Sequence, residues 1–305
     1  MTQKAYSGIW PVAPTPFNND GTLDLDGMRR VLDCMIDQGC DGLCILANFS
    51  EQFLISDAER DSLTRLSLEH VAGRVPVIVT VSHFASDIVV ARAKQAKDLG
   101  AAIVMMMPPY HGALLKGTAE QTFEQFARVG EVGIPIMLQD APLSGVDLPV
   151  PLLARMAREI EMLKLFKIEC ASAAAKLRAL VAEGGAAIEG PFDGEEGITL
   201  LADLDAGASG SMTSATIPDR IKPVITAHLA GDRAAAVEAY ARVLPAINHE
   251  NRQCGFRAAK EAMVEGGVIA SAFCRHPIAP LHPDTRSALI DLIRPLDPLV
   301  LRWGR

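Results

Sequence analysis

A lysine inside an apolar, strand-forming run is the residue in this sequence that most asks for a chemical reason. Lys167 lies in Leu165-Phe166-Lys167-Ile168-Glu169, near the end of that run. An ammonium turned into a dry interior loses hydration, and desolvation lowers its pKa. A partly neutral amine can add to a ketone and form an imine. The same lysine could instead snorkel to a rim or pair with Glu169. Ala47-Asn48-Phe49-Ser50-Glu51 follows another apolar run. Small and polar residues ahead of a helix offer backbone N–H groups and a hydroxyl to a carboxylate. Tyr110, in Pro108-Pro109-Tyr110-His111, follows a third run, where its phenol could relay a proton or simply pack. Gly190-Pro191-Phe192-Asp193-Gly194 reads as a tight turn that brings backbone close to a ligand.

These residues need a scaffold, and the hydrophobic pattern supplies one. Short apolar runs recur at residues 8–17, 42–47, 75–82, 101–109, 134–142, 163–169, 186–190 and 207–214. Several are apolar nearly throughout, the pattern of a parallel strand covered on both faces. Helical spacing lies between them. From Leu23 to Gly39, apolar residues include Leu25, Met28, Val31, Leu32, Met35 and Ile36, and Gly39 is a plausible C-cap. Ser56 stands three residues before Glu59, a capping-box start for a helix running to about Val71. Ala85 to Leu99 closes on Gly100 in the same way. Strand–helix units in this order predict an α/β fold, a (β/α)8 TIM barrel over residues 1–217. Residues 218–305 are expected to be a C-terminal helical extension packed on the barrel in a single structural unit. A doubly wound sheet would usually show a Gly-rich turn after its first strand, and Ala13-Pro14-Thr15-Pro16-Phe17 has none. In a barrel of this kind the chemistry sits at the C-terminal ends of the strands.

The composition narrows the function classes. The 305 residues carry 29 Lys+Arg against 37 Asp+Glu, a net charge of −8, which argues against a nucleic-acid footprint. No apolar run approaches a membrane span, and the N-terminus lacks the apolar core of a signal peptide. The six cysteines show no C-x-x-C spacing, which fits a reducing, cytoplasmic setting without structural zinc. The histidines show no H-E-x-x-H or H-x-H spacing, so no metal site is expected.

Taken together, the pieces resemble the dihydrodipicolinate synthase / N-acetylneuraminate lyase superfamily of class I Schiff-base lyases. The resemblance covers almost the whole chain. It rests on Gly8-Ile9-Trp10-Pro11-Val12-Ala13-Pro14-Thr15-Pro16-Phe17, Asp41-Gly42-Leu43, Glu51, Pro109-Tyr110, Leu143-Ser144-Gly145-Val146, Phe166-Lys167-Ile168-Glu169 and Gly207-Ala208-Ser209-Gly210-Ser211-Met212. It implies Lys167 as the imine-forming residue, no cofactor beyond that covalent imine, and a small keto acid as substrate. Tyr110 is implied as a catalytic residue that in the family reaches the neighbouring subunit's site. The substrate-binding residues are expected to be Asn48, Phe49, Ser50, Glu51, Gln139, Gly190 and Met212. The resemblance also implies a homo-tetramer built as a dimer of dimers, with no nucleic-acid or membrane partner.

Two departures select the reaction. The family loop reads G-[ST]-T-G-E where this chain has Ala47-Asn48-Phe49-Ser50-Glu51, so carboxylate binding would fall near Phe49 and Ser50. The family's Y-N-x-P strand end is replaced by Leu138-Gln139-Asp140-Ala141-Pro142. An ungapped match puts Leu138 at the family tyrosine, whereas aligning the proline puts Gln139 there. Either way the usual base for aldol cleavage is absent. The arginine that dihydrodipicolinate synthases carry just after this proline is absent too, since Leu143-Ser144-Gly145 stands there. The expected activity is therefore a dehydratase acting on a 2-keto-3-deoxy sugar acid in pentose (arabinose) metabolism, most like the branch that converts 2-keto-3-deoxy-L-arabonate to 2-oxoglutarate semialdehyde. The alternatives are a 2-keto-3-deoxy-aldonate aldolase releasing pyruvate, a dihydrodipicolinate synthase, or a catalytically dead keto-acid binder or regulator.

Overall fold

The computed structural model describes residues 6–111 and 115–305. Eight strands share one sheet: β1 Gly8–Ile9, β2 Leu43–Ile45, β3 Val77–Thr80, β4 Ile103–Met106, β5 Ile136–Asp140, β6 Leu163–Ile168, β7 Gly190–Asp193 and β8 Gly210–Ser211. Their order in the sheet is β1-β8-β7-β6-β5-β4-β3-β2, and the registers between β3 and β8 are all parallel. Val12, just beyond β1, bridges in parallel both to Cys44 of β2 and to Ser214 beyond β8. The two ends of the sheet thus meet on one residue, and the fold is the expected (β/α)8 barrel with C-terminal helices. Strands β3, β4 and β5 are buried at every position, which accounts for their largely apolar sequences and makes Gln139 and Asp140 at the end of β5 stand out.

The helices begin where local chemistry starts them. In α1, Leu25–Asp37, the Asp24 carboxylate accepts from the Gly27 N–H. Gly39, two residues past the end of α1, has φ +76°, the left-handed turn that a glycine makes at little cost. In α2, Asp57–Val71, the Ser56–Glu59 capping box forms as expected. Next come α3 Ser86–Asp98, α4 Ala119–Gly130, α5 Val150–Glu159, α6 Ala173–Gly184 and α7 Leu200–Asp205. The C-terminal helices are α8 Pro218–Leu229, α9 Arg233–His249, α10 Arg257–Glu265 and α11 Pro283–Ile293. No described helix is long and apolar enough to cross a membrane.

One assignment needs correction. Residues 186–190 do not form the seventh strand: Gly185–Ala187 is a 3-10 turn, and the strand is Gly190–Asp193. The segment expected to be a tight turn after that strand is the strand itself. A proline between small residues reads locally as a turn, but tertiary register decides otherwise. Gly190 pairs with Leu165, and a Cβ there would come within 3.2 Å of the Leu165 side chain. Pro191 has no N–H to give, yet its carbonyl accepts from the Ser209 N–H at 2.8 Å.

Contacts divide the chain into two compact units. The first comprises residues 78–195 and 199–212 with the described residues up to Gly8; the second comprises 9–77, 196–198 and 213–305. In the second unit the C-terminal helices are tied to α1 and its exit loop. Arg30 on α1 donates to the Val268 carbonyl at 2.8 Å, and Lys222 on α8 donates to the Gly39 carbonyl and pairs with Asp41.

Candidate active site

In the first unit, β5 and β6 run side by side with Gln139 opposite Lys167. Both side chains are buried. Two residues further on, past the end of β6, Glu169 falls on the same side as Lys167 because side chains on a strand alternate. Lys167 Nζ lies 3.0 Å from Glu169 Oε2, and the Gln139 amide donates to that same oxygen at 2.8 Å. The Glu169 backbone N–H is held on the Asp140 carbonyl at 2.9 Å. Asp140 has its own cation, Lys176, at 2.6 Å. Burial raises the Asp140 pKa while Lys176 pulls it back.

Lys167 is therefore both buried and paired with Glu169. Among the described residues, Gln139 Oε1 is buried without a hydrogen-bond partner. An unmet amide acceptor is costly in a dry interior unless some donor reaches it. Leu138 pairs with Phe166 and Gln139 with Lys167, so Gln139 is the strand neighbour of the lysine.

Glu169 is the residue that the sequence reading undervalued, treating it only as a possible partner of Lys167. Its two-residue spacing from the lysine was the available signal. Tyr110 lies on a two-residue strand, Tyr110–His111, paired antiparallel with Leu115–Lys116. The phenol is half-buried, and that burial pushes its pKa up to about 12, so it stays protonated near neutrality. Gly190 lies at the N-terminal end of β7, level with Leu165 rather than with Lys167. Met212 is fully buried, with its N–H on the Asp193 carbonyl at 3.0 Å.

The second unit holds the strand-two loop. Leu46 and Glu51 both have left-handed backbone, φ 60° and 59°, and between them Asn48–Ser50 make a 3-10 turn. Ser50 braces this loop from within. Its hydroxyl donates to the Ala13 carbonyl at 2.6 Å and accepts from the Ala47 N–H at 3.2 Å. Its own N–H donates to the Ala47 carbonyl at 2.9 Å. The expected hydroxyl and N–H donors of Ser50 are thus already spent. The N–H groups of Asn48 and Phe49 meet no acceptor among the described residues. The Asn48 side chain accepts from Gln52 at 2.7 Å, and the Phe49 ring stands edge-on to Phe256, centroids 6.4 Å apart. Thr15 donates to the Ser50 carbonyl at 2.8 Å, and the buried Glu51 carboxylate pairs with Lys260 of α10.

Among the described residues no group of three or more His, Cys, Asp or Glu side chains is placed to hold a metal ion. The cysteines are all free thiols. The chemistry on offer is that of a buried amine, an adjacent carboxyl, an unmet amide acceptor, a neutral phenol and two free N–H groups.

Comparison with known proteins places the chain among relatives of one family. The chain is 59% identical over 300 residues to L-2-keto-3-deoxyarabonate dehydratase of Azospirillum brasilense, covering 98% of this chain and 97% of that one. It is 28% identical to 4-hydroxy-tetrahydrodipicolinate synthase 2 of Streptomyces coelicolor, covering 95% of each. The crystal structure of a protein described as a dihydrodipicolinate synthetase from Pseudomonas aeruginosa superposes with a TM-score of 0.90 at 30% identity, covering 96% of this chain and all of that one. The sequence profile of the Dihydrodipicolinate synthetase family matches residues 5–295, and the chain belongs to that family.

Proposed function

We propose that this protein is a hydro-lyase that dehydrates 2-keto-3-deoxy-L-arabonate to 2-oxoglutarate semialdehyde through an imine on Lys167. The observation that carries the reading is the convergence of Lys167 and Gln139 on one oxygen of Glu169, on the strands where a base for aldol cleavage would otherwise stand. The near full-length similarity to a dehydratase of that substrate supports it.

Lys167 Nζ adds to the C2 ketone and water leaves, giving the imine. The protonated imine draws electrons, so a C3 proton is lost and an enamine forms. The enamine pushes out the C4 hydroxyl, which departs as water after taking a proton. A proton then leaves C5 and one returns to C3, which leaves a C4=C5 enol; its hydroxyl gives up a proton as C4 takes one, and C5 becomes the aldehyde. Hydrolysis of the imine frees the product and the lysine. Glu169 is the group for these proton transfers, because it touches the amine and carries the most exposed side chain of the three. Gln139 Oε1 accepts a substrate hydroxyl. The substrate carboxylate is assigned to the Asn48 and Phe49 N–H groups, with Ser50 and Glu51 shaping their loop. Tyr110 serves as a neutral proton relay. No metal or organic cofactor enters the scheme, because the imine is the electron sink. The working form is a cytoplasmic homo-tetramer, which light scattering would check.

The test is product identification. With 2-keto-3-deoxy-L-arabonate, semialdehyde detected by a coupled dehydrogenase supports the proposal. Stoichiometric pyruvate with glycolaldehyde would replace it with an aldolase. Absence of any borohydride-trapped adduct with a keto acid would replace it with a binder.

A further inference from the structure

A second buried lysine, in the C-terminal helices, is used by none of these steps. Lys260 on α10 is 1% exposed, in a region that a barrel does not require for closure. Its ammonium is fully enclosed by acceptors. It pairs with Glu51 Oε1, donates to the Phe273 carbonyl at 2.9 Å, touches Cys274 Sγ at 3.9 Å and sits 4.5 Å from the centre of the Phe17 ring. Glu51 is the left-handed residue that ends the strand-two turn, a conformation that a glutamate adopts only when its surroundings hold it. Its other oxygen, Oε2, is buried without a hydrogen-bond partner among the described residues. One carboxylate oxygen therefore makes the ion pair with α10.

We infer that Lys260 is a positioning residue for the substrate carboxylate, acting through Glu51. By clamping Glu51 in its left-handed backbone, Lys260 sets the direction of the Asn48 and Phe49 N–H groups in the turn that Glu51 closes. This inference rests on the proposed role of that loop in holding the carboxylate. It gives the C-terminal helices a part in substrate affinity as well as in packing.

The test uses the full chain, pyruvate and borohydride. The readout is the pyruvate concentration that half-saturates trapping, measured beside thermal stability. Lys260→Met strands a buried carboxylate and is expected to lower Tm sharply. The double variant Glu51→Gln/Lys260→Met removes both charges and should regain most of that Tm. If the pair positions the loop, the double variant still needs about tenfold more pyruvate than wild type, the scale of one lost hydrogen bond to a charged group. Its maximal extent of trapping should be unchanged, because Lys167 is intact. If half-saturation returns to the wild-type value together with Tm, the pair is only structural and the inference is overturned. A wild-type protein that forms no adduct would instead overturn the imine reading itself.

Discussion

Two buried Lys–Glu pairs occupy the two units, and they differ in how completely each lysine is enclosed. Lys260–Glu51 is sealed, with side chains 1% and 0% exposed, and its lysine has a backbone carbonyl and an aromatic face as further partners. Lys167–Glu169 is open on one side, at 4% and 21% exposure, and its glutamate oxygen is shared with Gln139. A sealed pair is closed to a ligand by burial, although Glu51 Oε2 has no hydrogen-bond partner among the described residues, and removing one partner leaves an uncompensated charge. An open pair keeps a carboxyl within reach of incoming groups while its lysine stays dry. Burial of the lysine does not separate the two pairs; the distinction lies in the exposure of the paired carboxyl.

That contrast can be broken by experiment, beginning with the largest effect. Lys167→Ala should abolish the borohydride-trapped adduct and the activity together. An adduct that persists on another peptide would move the chemistry elsewhere. Glu169→Gln should retain the lysine and its adduct but lower kcat by about 10²–10⁴-fold, the range for lost general acid–base catalysis. Unchanged turnover would make Glu169 a spectator. Tyr110→Phe should cost roughly 10²-fold in kcat with little change in Tm; lost stability with normal kcat would make it a packing residue.

A further buried carboxyl sharpens the comparison because it has no lysine. Glu250 is fully buried at the end of α9, and burial pushes its pKa up to about 7 while hydrogen bonds from Ser214 and Thr216 pull it down. The folded value lies above the ordinary carboxyl range, so the native state keeps a proton that the unfolded chain gives up. The stability from this group is complete below the unfolded pKa and is lost as pH rises through about 7. Glu250→Gln should remove about 3 kcal/mol of that decline, at 1.36 kcal/mol per pKa unit between the ordinary value of 4.5 and about 7. Parallel Tm-against-pH curves for variant and wild type would refute it. The smallest effect is expected at Ser50→Ala, about 1 kcal/mol of loop bracing, read as a few-fold weaker pyruvate half-saturation. A shift above a hundredfold would return the Ser50 hydroxyl to direct contact with substrate.

The barrel was legible because both-face burial leaves unbroken apolar runs and because capping is local, as at Ser56 and Glu59. Lys167 stood out for the same reason, a cation where the run wanted a hydrophobe. The seventh strand was not legible, because Gly190-Pro191 carries turn chemistry and only the fit of Gly190 beneath Leu165 makes it a strand. Ser50 was legible as a loop residue but not as an internal brace, because its acceptor, Ala13, lies 37 residues away.

Sequence by itself determined the order of strands and helices, the lysine and the missing tyrosine, since periodicity, caps and residue type act over a few neighbours. Tertiary structure alone decided which polar groups remain unsatisfied. Gln139 rather than Leu138 stands beside Lys167 because the register of β5 on β6 places it there. Glu51 is closed off by a lysine 209 residues later because α10 brings it in. Burial and hydrogen-bond satisfaction are properties of space and not of spacing, and in this protein burial separates the open Lys167–Glu169 pair from the sealed Lys260–Glu51 pair.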